Sequence, residues 1–217
     1  VEQTGALGYR MPRETERMFL DREVLTPLMQ RPGTWAGDED LLAYLDRTAA
    51  LVGYAVQRIT LGDDEPILLL YEEAPATRGW GSVLVRPEAT TARFVAVPKP
   101  AAERYSLDLA LHLLRDLDGR SLLVAGAEPT AALDESSNVV GVGNLETVFT
   151  HAHRVAFRRS PSDPASEDGG IPLGLQVRGY RSWRPLRSPV ILSTGLLAAE
   201  LSRQPPGLDD VGAGLRR

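Results

Sequence analysis

Cysteine is absent from all 217 residues, which removes disulfides, thiol nucleophiles and thiolate zinc sites together. Lysine is almost absent: Lys99 is the only one among 24 basic residues. Histidine is scarce as well, with His112, His151 and His153 the only three, so an imidazole-rich metal centre has few candidates. No apolar run approaches the roughly 20 residues of a membrane span, and no signal peptide is visible. The chain begins at Val1 instead of methionine, the start expected where a leader or upstream region has been removed. Both the cytoplasm and an export route stay open.

What is present is ordinary for a soluble globular domain: 43% hydrophobic and 24% charged residues. The net charge is -5, and the arginines are dispersed instead of gathered in a stripe, which argues against a nucleic-acid surface.

Apolar positions Met18, Leu20, Val24, Leu25 and Leu28 follow Pro12 at helical spacing and predict a first helix over 12–30, ended by Arg31-Pro32-Gly33. Asp38 can cap a second, with Leu41, Leu42, Leu45, Ala49 and Val52 on one face. From Tyr54 the period changes. The runs 54–61 and 66–73, separated by Gly62-Asp63-Asp64-Glu65, read as a hairpin, and 80–86 with 92–97 as another pair. A helix over 103–118, a strand over 121–126, a helix over 145–157, strands near 173–178 and 189–193, and a helix over 196–203 complete the order. Alternating strands and helices imply parallel crossovers. The expectation is a single domain over 1–217. Its tail and helices cover 1–53 and its α/β core 54–203, with a mobile loop over 158–171 and a C-terminal tail over 204–217. The fold class is α/β: three layers, with helices on both faces of a mixed, partly parallel sheet.

In an open α/β sheet, reactive groups gather beyond the carboxyl ends of the strands. Here those ends read Val97-Pro98-Lys99-Pro100, Ala125-Gly126-Ala127-Glu128-Pro129, Gln176-Val177-Arg178-Gly179-Tyr180 and Ser193-Thr194-Gly195. Lys99, Glu103, Glu128, Arg178 and Tyr180 are the candidate site residues. The frame of these strand ends, over roughly 54–203, resembles bacterial zinc-dependent amidohydrolases similar to N-formylglutamate amidohydrolase and the poly-γ-glutamate hydrolases. Their strands end in Pro-His-Pro, Ala-Gly-x-His-Arg and Gln-x-His-Gly, with a Ser-x-Gly turn following. The resemblance implies the fold and a zinc site with three histidine-bearing strand ends.

This chain has Lys99, Glu128 and Arg178 where the resemblance would put histidine. A protonated lysine or arginine has no lone pair for a metal, and catalytic zinc takes three protein ligands, so zinc is expected to be absent. His151 and His153 fall about 160° apart on a helix carrying the stripe Leu145, Val148, Phe149, Ala152, Val155 and Ala156, too far apart to grip one ion. His112 borders the stripe Leu107, Ala110, Leu111, Leu114 and Leu117 and reads as a half-buried helix residue. For Glu128 and Arg178 the plain alternative to ligand binding is an ion pair bridging two strand ends. With Lys99, Arg178 alternatively forms a carboxylate or phosphate clamp.

Ser193 has no Gly-x-Ser-x-Gly elbow, and Gly141-Val142-Gly143 lacks the third glycine and the preceding strand of a dinucleotide site. Trp35, Trp80 and Trp183 are expected in packing before any sugar or protein surface. The reading is therefore a catalytically degenerate amidohydrolase-like domain with no catalytic residues and no cofactor, acting as a binding or scaffold protein for a protein partner or an anionic ligand. Two alternatives remain: an active metal-dependent amidase or peptidase using Glu103, Glu128 and a histidine, and a structural subunit of a larger assembly.

Overall fold

The computed structural model describes residues 8–61, 65–74, 78–103, 105–141, 144–158 and 173–178. Tyr180, Trp183, the strand expected over 189–193, the helix over 196–203, the loop over 159–171 and the C-terminal tail lie outside the described residues. No helix among the described residues is long and apolar enough to cross a membrane.

The first predicted helix forms, but not as one α-helix. Helix α1 (Glu14–Phe19) runs into a π-helical segment (Leu20–Leu25), then α2 (Thr26–Gln30). Pro27 has no N–H to continue the ladder, and a wider turn upstream of it is one way for a helix to absorb that loss. Leu20, Val24, Leu25 and Leu28 are buried as expected, while Met18 turns out to solvent and Asp21 turns in, 8% exposed. Pro32, expected only to end the helix, opens the short helix α3 (Pro32–Ala36). Asp38 does cap α4 (Glu39–Ala50), accepting from the N–H groups of Asp40 at 3.0 Å and Leu41 at 3.1 Å. That helix buries Leu42, Leu45 and Ala49 and leaves Leu41 at the surface.

Strands β1 (Tyr54–Leu61) and β2 (Glu65–Glu72) form the predicted hairpin. The second predicted pair does not form. Strands β3 (Ser82–Val85) and β4 (Phe94–Val97) are separated by β5 (Ser121–Val124), which pairs antiparallel with β3 and parallel with β4. The reason lies in β5: Ser121, Leu122 and Leu123 are buried, so this strand needs cover on both faces and a neighbour on each edge. Arg120 leads it in, accepting from Arg86 N–H at 2.8 Å and donating to Arg93 C=O at 2.7 Å. With β6 (Gly174–Gln176) added parallel to β4, the sheet order is β1-β2-β3-β5-β4-β6.

Side-chain alternation divides the core. Val95, Val97 and Leu122 pack with Ala110 and Leu114 of α5 (Ser106–Asp116). Phe94, Ala96 and Leu123 belong to the opposite face, with α4, the N-terminal helices and α6 (Val148–Phe157). Helices therefore cover both faces of a mixed, partly parallel sheet, and the α/β class expected from the sequence is what forms.

Asp21 ties α6 to the N-terminal helices. Its oxygens accept from Arg158 at 2.7 and 3.1 Å and from Thr26 Oγ1 at 3.1 Å, and His151 Nδ1 stands 3.5 Å away. Burial pulls this carboxyl upward, but the bonds and charge of Arg158, with Thr26 and His151, outweigh it and hold Asp21 below the usual range. Burial holds the imidazoles of both His151 and His153 below their ordinary value. An imidazole kept neutral by folding contributes its full stability above the unfolded pKa of about 6.5 and loses it as pH falls toward the folded value. The melting temperature is thus expected to fall between pH 7.5 and 5.5, and to fall less in His153→Phe. Equal losses in the two proteins would contradict this role for His153.

Candidate functional site

Because β4, β5 and β6 are parallel, their carboxyl ends share one edge of the sheet, with Val97 opposite Val124 and Ala96 opposite Gln176. Pairing continues past the strands through Ala125 N–H to Val97 C=O at 3.0 Å and Val177 N–H to Ala96 C=O at 2.8 Å. Lys99 thus follows the middle of three parallel strands, Glu128 follows β5 on one side and Arg178 follows β6 on the other.

Two consecutive turns carry the chain from β4 into α5: Glu103 N–H donates to Lys99 C=O at 3.0 Å and Ser106 N–H to Glu103 C=O at 3.1 Å. They fold Glu103 back over the strand end, leaving its side chain 11% exposed. Tyr105, the residue before α5, has φ 66°, a left-handed conformation uncommon outside glycine. The first turn of α5 begins at this edge, and the hydroxyl of Ser106 is buried there with no hydrogen-bond partner among the described residues.

The ion pair expected between Glu128 and Arg178 is not formed. Arg178 Nε contacts Glu103 Oε1 at 3.3 Å instead, and one buried carboxylate oxygen of Glu128 has no hydrogen-bond partner among the described residues. The sheet order explains the exchange. Glu128 follows a strand two places from β6, about 9.6 Å at the usual strand spacing, while Glu103 returns from the adjacent strand. Lys99 makes no ion pair among the described residues.

The histidines go elsewhere. His151 faces Asp21, as above. His153 Nδ1 donates to Phe149 C=O at 3.1 Å, and its ring packs edge-on to Phe94 at 5.4 Å and Phe149 at 4.6 Å between centroids. Phe94 opens β4 and Lys99 follows its end, so roughly 16 Å of extended chain separates that ring from the candidate edge. His112, expected half-buried, is exposed on α5, about 9 Å along the axis from its first residue. Among the described residues no three His, Asp or Glu side chains gather as a metal-binding group.

The same edge holds a cluster that the strand-end reading missed. Antiparallel pairing brings the start of β1, the end of β2 and the start of β3 to it, through Tyr54 opposite Glu72 and Ser82 opposite Val124. Arg78 donates to Gly53 C=O at 2.6 Å and to Val52 C=O, and its guanidinium lies 4.0 Å from the Trp80 ring centroid and 5.5 Å from that of Tyr54. Glu72 accepts from Trp80 N–H at 3.1 Å and stands 3.3 Å from Arg78 Nε. Burial pushes the Glu72 carboxyl up despite these partners, and also raises the hydroxyls of Tyr54 and Tyr9. The sequence signal was Arg78-Gly79-Trp80-Gly81, in which an aromatic between glycines announces close backbone approach. Trp80 is buried, and Trp35 donates its Nε1–H to Pro27 C=O at 2.8 Å, so both are packing residues as expected. Below Trp80, a void of about 10 Å³ lined mainly by Leu70, Val83, Leu123, Val148 and Phe149 has room for about one water.

No protein-family model matches the chain, and neither a curated protein nor a solved structure matches it.

Proposed function

We propose that this is a hydrolase-like domain without metal chemistry, which binds a small anion, a carboxylate or a phosphate, beyond the carboxyl ends of β4 and β6. One observation carries the reading: Lys99 and Arg178 follow adjacent parallel strands, and Lys99 has no carboxylate partner among the described residues. An ammonium and a guanidinium supply donors but no lone pair, so these positions suit an anion and do not suit zinc. The planar fork of Arg178 matches a carboxylate or phosphate, and Lys99 adds a point charge beside it. The kinship with amidohydrolases rests on the strand-end motifs alone and is part of the same proposal.

Titration calorimetry on chelator-treated protein tests it, using N-acetylglycine, which carries both a carboxylate and an amide bond, and inorganic phosphate. The expected result is saturable binding at one site that weakens as salt rises. Stoichiometric zinc in the purified protein, lost together with an amidase activity, would overturn the reading in favour of a working metal-dependent amidase.

A further inference from the structure

The two partners of the Arg178–Glu103 contact are held unequally. Glu103 is anchored: its side chain is 11% exposed, and its backbone N–H and C=O both bond within the turn from Lys99 to Ser106. Arg178 is at the surface, with its side chain 37% exposed, and follows a strand of three residues. It meets Glu103 through Nε alone at 3.3 Å, and its Nη1 and Nη2 make no hydrogen bond among the described residues. A carboxylate that fixes an arginine in place takes it with two parallel bonds of about 2.7–2.9 Å. A single longer contact at an exposed guanidinium contributes little and breaks easily.

Resting on the anion-binding reading above, we propose that Glu103 is an internal competitor for the ligand. Its carboxylate occupies Arg178 in the empty site, and an incoming anion takes Arg178 over by exchange. A carboxylate beside the exchanged Arg178 repels a dianion more than a monoanion. Glu103 therefore narrows the preference that Lys99 and Arg178 would otherwise give a phosphate dianion over a monoanionic carboxylate.

Titration at pH 8 with N-acetylglycine and inorganic phosphate tests this in the full chain. Glu103→Gln is expected to bind N-acetylglycine about two- to fivefold more tightly, the range set by removing one exposed ion pair. Phosphate is expected to gain more than N-acetylglycine. Glu103→Asp, which keeps the charge, stays near wild type, and the gain from Glu103→Gln disappears in an Arg178→Gln background. Unchanged or weaker binding by Glu103→Gln, while wild type still binds through Lys99, would overturn the competitor role and leave the anion site standing. Absence of Lys99-dependent binding in both wild type and Glu103→Gln would remove the anion site itself.

Discussion

Arg78→Met is expected to lower stability by about 3–5 kcal/mol, the cost of leaving a buried charge without its partner. Side-chain exposures of 17% for Arg78 and 8% for Glu72 put the pair inside the protein. The guanidinium does three things at once: it balances Glu72, satisfies the carbonyls of Val52 and Gly53 at the turn into β1, and stacks on Trp80. Methionine fills much of the space but supplies none of the donors. Glu72 then faces burial with only backbone N–H groups, which its already raised carboxyl shows to be insufficient. Urea unfolding of Arg78→Met, Glu72→Gln and the double variant checks the claim: the double variant should recover much of the loss. A cost below about 1 kcal/mol for Arg78→Met would mean that the pair is no better than a surface contact.

Gly81→Ala is the second large effect, at about 2–6 kcal/mol when backbone strain and overpacking are combined. Gly81 has φ 98°, and a Cβ there would lie 2.2 Å from Val124 C=O and 2.8 Å from Gly126 N. Both neighbours are backbone at the end of β5, so nothing flexible can give way. The methyl group would push β3 from β5 at the candidate edge, and anion binding should fall along with stability. Gly33→Ala is the contrast, since a Cβ there meets nothing within 4 Å and the residue is helical. It should stabilise the protein by about 0.5–1 kcal/mol. Similar unfolding midpoints for the two variants would refute the close approach of Gly81 and Gly126.

The same approach explains part of what could be read from the sequence. Gly126 belongs to the Ala-Gly strand-end motif behind the amidohydrolase resemblance, and here its small size serves contact with Gly81. The parallel strands β4, β5 and β6 were legible because short apolar runs alternate with helices whose apolar residues recur at helical spacing. The pairing of β3 was not. Neighbours in sequence suggest a hairpin, and only the burial of β5 on both faces decides that it enters between them. Asp21 was passed over because it is charged: with Val24, Leu25 and Leu28 at i+3, i+4 and i+7 it lies on their face, and a stripe read from apolar residues alone leaves it out. At the candidate edge, Lys99 and Arg178 could be selected by position alone. That Arg178 would choose Glu103 over Glu128 depended on strand order, which local spacing does not carry.

The central claim is that Lys99 is kept for an anionic ligand, and its most direct test is titration of N-acetylglycine into wild type, Lys99→Arg and Lys99→Gln at low and high salt. Lys99→Gln should lose about tenfold or more in affinity at low salt, as removal of a charge-assisted hydrogen bond implies. Lys99→Arg should keep most of it, and high salt should narrow the differences. Wild-type affinity in Lys99→Gln would contradict the claim, as would binding that requires added zinc.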